Sequence, residues 1–169
     1  MCAVTAQYND ELRHIEYAVK KYSQMLFRIC YSILGNKQDA EDALQETFLR
    51  YMLKAPLFKD SEHEKAWLIK VATNISKNMV LLRKRRKTVD LDELNSIGIE
   101  DEDSQVFEAI MSLPVKYKIV MTLFYIEGYD SKEVAKIIGI SPEAVRKRMQ
   151  KGRELLKTEI EKWGCGYDK

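Results

Sequence analysis

The chain has 169 residues, enough for one domain or two small ones, and its 46% hydrophobic content suits a packed core. Seven glycines and three prolines favour helices over a turn-rich β architecture. The formal net charge of +2 does not by itself point to nucleic acid, and no long uncharged apolar run or leader-like segment predicts membrane insertion or secretion. Cys2, Cys30 and Cys165 lie far apart, and His14 and His63 are isolated. That spacing argues against a zinc site or a disulfide framework, and free thiols suit a reducing cytoplasm. No Ser/His/Asp set, metal spacing or phosphate loop marks an enzyme, so no cofactor, metal or small-molecule substrate is expected.

Residues from about 10 to 34 predict a long amphipathic helix, because Leu12, Ile15, Val19, Tyr22, Leu26, Ile29 and Ile33 recur at steps of three and four. Gly35-Asn36 stops it, and Asn36 or Asp39 can cap a second helix running to about Leu53. The inner stripe of that helix is Ala40, Ala43/Leu44, Thr47 and Tyr51. Beside it sit Gln45, Glu46, Phe48 and Met52, which read either as a protein-binding patch or as further core. Ala55-Pro56 breaks the helix, and Leu57–His63 reads as a loop.

A third helix follows from about Glu64 to Arg86, with Leu68, Val71/Ala72, Ile75, Met79 and Leu82 as its core stripe. Trp67, Lys70, Asn74, Asn78 and Leu81 share a flank, with Lys77 nearby. Rings stack on any unpaired base, amides reach base edges and lysines track phosphate, so this flank is a plausible single-strand platform. The competing reading puts Trp67 in the core and leaves the rest solvated. Arg83–Lys87, five bases in a row, extends the flank as a cationic tail. Residues 88–104 then hold seven acids, no base and no helical stripe, which reads as a flexible acidic linker between two domains.

Beyond the linker, Val106, Phe107 and Ile110 predict a helix at 104–111, and Leu113-Pro114 starts another that Gly128 ends. Asp130 with Glu133 forms a capping-box start; Val134, Ile137 and Ile138 make one stripe, and Gly139 ends that short helix. Ser141-Pro142 begins the last helix, to about residue 161, with Ser as cap and Pro in the first turn. Val145, Met149, Gly152 and Leu156 fall on its inner side. Glu143, Lys147 and Gln150 point outward, flanked by Arg146 and Lys151, whereas Arg148 lies nearer the inner boundary and suits packing or phosphate. Two short helices around a tight turn, the second with a basic outer face, make a helix-turn-helix whose second helix can enter a DNA major groove. The alternative is a basic solvated helix in an ordinary bundle. The fold class is all-α: two small helical domains, 1–87 and 105–169, joined by the 88–104 linker.

Two separated blocks carry a resemblance. Asp39-Ala-Glu-Asp-Ala-Leu-Gln-Glu-Thr-Phe48, Lys65-Ala-Trp-Leu-Ile-Lys-Val-Ala-Thr-Asn74 and Arg83–Lys87 resemble region 2 of bacterial RNA polymerase sigma factors. Leu113-Pro-x-Lys-Tyr, Tyr125-Ile-Glu-Gly128 and the helix-turn-helix resemble their region 4. With only these two regions, the chain resembles the extracytoplasmic-function (ECF) subgroup of the sigma-70 family over most of residues 10–160. The resemblance implies an alternative sigma factor that binds core RNA polymerase, recognises −35 and −10 promoter elements and helps open DNA. It also implies an anti-sigma factor as regulatory partner and a cytoplasmic location. Gln45, Glu46, Phe48 and Met52 match the grip on the clamp helices of the polymerase largest subunit. Phe58, Lys59, Ser61 and His63 match the loop that shapes a pocket for a flipped −10 base. Trp67, Lys70, Asn74, Lys77 and Asn78, with Arg83 and Lys84, match the helix on the opened non-template strand. Ser141, Glu143, Ala144, Arg146, Lys147, Gln150 and Lys151 match the −35 reader. Lys147, where Ser is commoner, and Ala144, where Thr is usual, depart from the family pattern and, with Gln150 at a position where the family varies, leave the −35 sequence open; Glu62 and His63 do the same for the −10. A stand-alone helix-turn-helix regulator, acting as a dimer on paired half-sites, is the rival reading.

Overall fold

The computed structural model describes residues 2–86 and 104–164, with side chains at 12–83 and 107–161. Residues 88–103 of the acidic linker lie outside the described residues. All regular structure among the described residues is helical: α1 (Cys2–Leu34), α2 (Lys37–Lys54), α3 (Ser61–Arg86), α4 (Ser104–Met111), α5 (Val115–Met121), a π-helical turn (Thr122–Ile126), α6 (Ser131–Ile138) and α7 (Pro142–Gly164).

The first unit is α1, α2 and α3 packed together. Its helices break where local chemistry requires. Gly35 takes a left-handed φ of 77° that few side chains tolerate, and Asn36 Oδ1 accepts from the Asp39 amide at 2.8 Å to cap α2. Ala55, held extended ahead of Pro56, ends α2. The third helix begins three residues earlier than its apolar stripe predicts, because Asp60 Oδ1 accepts from the His63 amide at 2.7 Å. Ser61, Glu62 and His63 are therefore the first turn of α3 rather than loop. Leu26, Ile29, Leu68 and Ile69 are fully buried between these helices, each contributing roughly 1.5–3 kcal/mol through removal from water.

The second unit is α4 to α7. Ile110, Met121, Leu123, Val134 and Val145 form its interior. Gly152 lets α7 approach α5, since a Cβ there would stand 2.9 Å from Met121 Sδ. The predicted straight helix over 114–127 instead widens after Met121: the Glu127 amide bonds back to the Thr122 carbonyl at 3.0 Å, and Tyr129 to Leu123 at 3.0 Å, as Gly128 turns at φ 74°. The reading of Asp130 and Glu133 as a capping box holds, with Asp130 Oδ1 accepting from Glu133 at 2.8 Å and Glu133 Oε2 from the Asp130 amide at 2.8 Å.

The two units pack against each other, α1 on α5 and α3 on α6, so that most of their buried apolar residues form one continuous cluster, with Ile110, Leu113 and Met121 in a smaller one. Arg28 of α1 donates to both oxygens of Glu127, at 3.2 and 3.4 Å, and the Glu127 side chain is only 6% exposed. Tyr31 stacks on Phe107, and the Lys65 ammonium sits 4.9 Å above the Tyr129 ring.

Candidate nucleic-acid interface

Hydrophobic anchoring of α3 leaves one of its faces outward. His63, Trp67, Lys70, Asn74 and Asn78 recur at steps of three and four along it; Lys70, Asn74 and Asn78 are exposed and Trp67 is half-buried. The chain between α2 and α3 folds back onto the start of this face. Phe58 stacks on Tyr51, with ring centroids 6.0 Å apart, and meets Trp67 edge-on at 5.8 Å and His63 at 5.6 Å. The structure thus joins Phe58, His63 and Trp67 into one aromatic group, with Lys59 and Ser61 exposed beside it. Trp67 answers to both sequence readings: it packs on Phe58 and Tyr51 yet keeps part of its surface in solvent. Tyr51 was legible as core but not as the floor of this group.

Two of the predicted strand-contacting bases are engaged elsewhere. Lys77 is half-buried at the seam, and burial first, then the Arg148 charge from α7, pushes its ammonium below the ordinary lysine range. Arg83 pairs with Asp39 of α2. Lys84 belongs to α3, but its side chain lies outside the described residues.

The helix-turn-helix is open to solvent along the outer face of α7. Gly139 takes φ 72° at the turn, and Ser141 Oγ accepts from the Ala144 amide at 3.1 Å, so its side chain caps α7 rather than pointing at a ligand. Glu143, Arg146, Lys147 and Gln150 are exposed and line one shallow depression together with Arg153. Arg153 was missed by the sequence reading, although it lies seven residues after Arg146 on the same face; its guanidinium donates to Tyr125 Oη at 3.3 Å. Lys151 is tied to Glu154 at 2.9 Å, and that bond raises its pKa. Ala144 is half-buried at the edge.

On α2 the expected exposed patch needs correction. Phe48 is buried, 9% exposed, within the core of the first unit, because its position falls between the stripe residues Thr47 and Tyr51. Gln45 is exposed, Glu46 accepts from Arg50 Nε at 2.8 Å, and Met52 is 54% exposed. Leu49 and Leu53, both exposed, supply the apolar part that Phe48 was expected to provide, since they continue the steps from Gln45 and Glu46. Among the described residues, no group of His, Cys, Asp and Glu could hold a metal, and no helix is long and apolar enough to cross a membrane.

Residues 18–88 match the family described as sigma-70 region 2, and residues 104–156 match sigma-70, region 4. The chain belongs to the sigma-70 family, and within it to the ECF group. It is 27% identical over 158 residues to the ECF RNA polymerase sigma factor SigW of Bacillus subtilis, covering 82% of this chain and 84% of that one. It is 29% identical over 156 residues to the ECF RNA polymerase sigma factor SigE of Mycolicibacterium smegmatis, covering 85% of this chain and 60% of the longer relative. In fold it is similar to the sigma factor RpoE from Bartonella quintana, solved in complex with the anti-sigma factor NepR, at a TM-score of 0.76 and 17% identity over 93% of this chain and 99% of that one.

Proposed function

We propose that this alternative sigma factor divides promoter recognition between its two units and performs no covalent chemistry. The first unit docks on core RNA polymerase through Gln45, Glu46, Leu49, Met52 and Leu53, with Phe48 supporting them from beneath. Phe58, His63 and Trp67 receive an unstacked −10 base, while Lys70, Asn74 and Asn78 follow the non-template strand. Unstacking costs a few kcal/mol per step, which stacking and pocket contacts must offset. Glu143, Arg146, Lys147 and Gln150 read the −35 duplex, and Arg153 holds the same helix to the phosphates. The observation that carries this reading is the presence, on one chain, of an aromatic group backed by an amide-lined helix and an open basic recognition helix.

The packed arrangement adds a requirement. Elements centred near −35 and −10 lie roughly 25 base pairs apart, about 85 Å of duplex at 3.4 Å per pair, and units in contact through Arg28–Glu127 cannot hold both ends. Opening of the seam precedes promoter capture, and it also releases Lys77 from Arg148. Domain limits of 1–87 and 105–169 and a cytoplasmic site of action fit this role. So does an anti-sigma factor as partner, in line with the RpoE–NepR complex. The test is reconstitution with core polymerase: Glu46→Lys abolishes holoenzyme formation while the fold persists, and unchanged polymerase binding would refute the docking assignment.

A further inference from the structure

Glu64 lies in the first two turns of α3, beside the loop that carries Phe58, and is 5% exposed. A carboxylate so buried is costly unless its lone pairs are engaged. Three side chains from α1 and α2 engage them. His14 Nε2 lies 3.0 Å from Oε1, the Tyr51 hydroxyl donates to that same oxygen, and the Tyr22 hydroxyl lies 3.2 Å from Oε2. The Tyr22 hydroxyl is also 3.3 Å from the Ser61 carbonyl, where the loop enters α3. Tyr51 is the ring on which Phe58 stacks and against which Trp67 tilts at 6.1 Å. Glu64, Tyr51 and Phe58 together line a cleft of about 1050 Å³ between α1, α2 and the loop.

We propose that Glu64 is a positioning residue for strand capture. Through the Tyr51 hydroxyl it sets the plane of the ring beneath Phe58, and it shares the single Tyr22 hydroxyl proton with the Ser61 carbonyl, so that Phe58 and Trp67 present one defined pocket to an unpaired base. Burial, and then the Glu64 hydrogen bond and charge, hold the Tyr51 phenol well above the ordinary tyrosine range, so it remains a donor throughout. The three helices meet at this carboxylate, and the loop inherits its geometry from it. The proposal rests on the reading of the Phe58 loop and Trp67 as the base-capturing site.

Two variants separate positioning from simple glue. In Glu64→Gln the amide oxygen can still accept from Tyr51, and the amide nitrogen can donate to Tyr22, whose hydroxyl turns to Ser61; packing persists but the charge-assisted bond to Tyr51 is lost. Tyr51→Phe keeps the ring and deletes only the hydroxyl. Holoenzyme assembled from core polymerase and the full chain is first used to select a −10 single-stranded oligonucleotide from a randomised pool. Its affinity is then compared with that of a scrambled oligonucleotide. Wild type prefers the selected strand, and both variants lose fivefold or more of that preference, with core-polymerase affinity, −35 duplex binding and melting temperature kept. Retention of the wild-type preference by both variants would overturn the proposal, and so would a loss of preference by Tyr51→Phe that tracks an equal loss of polymerase binding. Should the wild type and Trp67→Ala bind selected and scrambled strands alike, the capture site itself is misassigned and the proposal falls with it.

Discussion

Removing Arg28 should open the seam between the two units. Its guanidinium bonds both oxygens of Glu127 at 3.2 and 3.4 Å, and the Glu127 side chain is 6% exposed against 32% for Arg28. Deleting one partner of a fully buried pair costs about 3–5 kcal/mol, because an uncompensated charge is left behind. One third of Arg28 is in water, so solvent screening lowers the expected cost to roughly 1–3 kcal/mol. That corresponds to a shift of about 5- to 150-fold in the closed–open equilibrium. The sign of a second substitution is more diagnostic than the size of the first. Glu127→Gln removes the stranded charge, so adding it to Arg28→Ala should restore part of the closed population rather than loosen it further. Single-molecule energy transfer between labels on exposed Lys54→Cys and Lys157→Cys, in a chain with Cys2 and Cys165 replaced by Ser, reads the two populations directly. A closed population unchanged by Arg28→Ala, or a double variant more open than the single one, would refute the argument.

The corrected α2 face gives a contrast: Phe48→Ala should lower unfolding stability by about 3 kcal/mol as a core truncation, whereas Met52→Ala should change it by less than about 0.5 kcal/mol yet weaken polymerase binding, as urea titration and a pull-down with core enzyme would record. Gly139→Ala meets nothing within 4 Å but keeps φ 72°, so it should cost roughly 1–2 kcal/mol from left-handed strain alone, visible in the urea midpoint. On α7, Lys147→Ala or Gln150→Ala should change which −35 base is preferred, whereas Arg153→Ala should weaken all promoters alike and flatten the salt dependence; equal losses on every promoter from the first pair would show that they position rather than read. Burial pushes the Cys30 thiol from 9.0 to about 11. Above pH 9 the unfolded chain binds fewer protons than the folded one, so stability falls as pH rises. Wild type should lose about 1.3 kcal/mol more than Cys30→Ala between pH 8 and 10, measured as the difference in urea unfolding free energy.

The elements most legible in the sequence were those whose signals are local. The capping box at Asp130 and Glu133, the left-handed Gly139 and the Ser141-Pro142 start each depend on residues within one turn, and all three are present. The exposed outer face of α7 followed from a 100° rotation per residue, and the same periodicity carries that face one step further to Arg153. Failures came where tertiary contact decides. Phe48 borders the apolar stripe of α2, and only the packing of α1 and α3 around it shows that it is core. Glu64 carries no local mark at all: its role depends on His14, Tyr22 and Tyr51, which are 13 to 50 positions away in sequence. The seam is similarly non-local, since Arg28 and Glu127 are separated by 99 positions and by the linker. The widened turn after Met121 follows from hydrogen bonds at Thr122 and Leu123 that no apolar pattern encodes.

In vitro transcription from a library randomised at both promoter elements, with core polymerase and this chain, tests the central claim most directly. Transcripts should depend on the chain and be enriched for two sequence elements at one fixed spacing, with the upstream preference shifted by Lys147→Ala and the downstream preference weakened by Trp67→Ala. Transcription no more selective than that of core polymerase alone, together with tight dimeric binding of the free chain to paired half-sites, would contradict that claim.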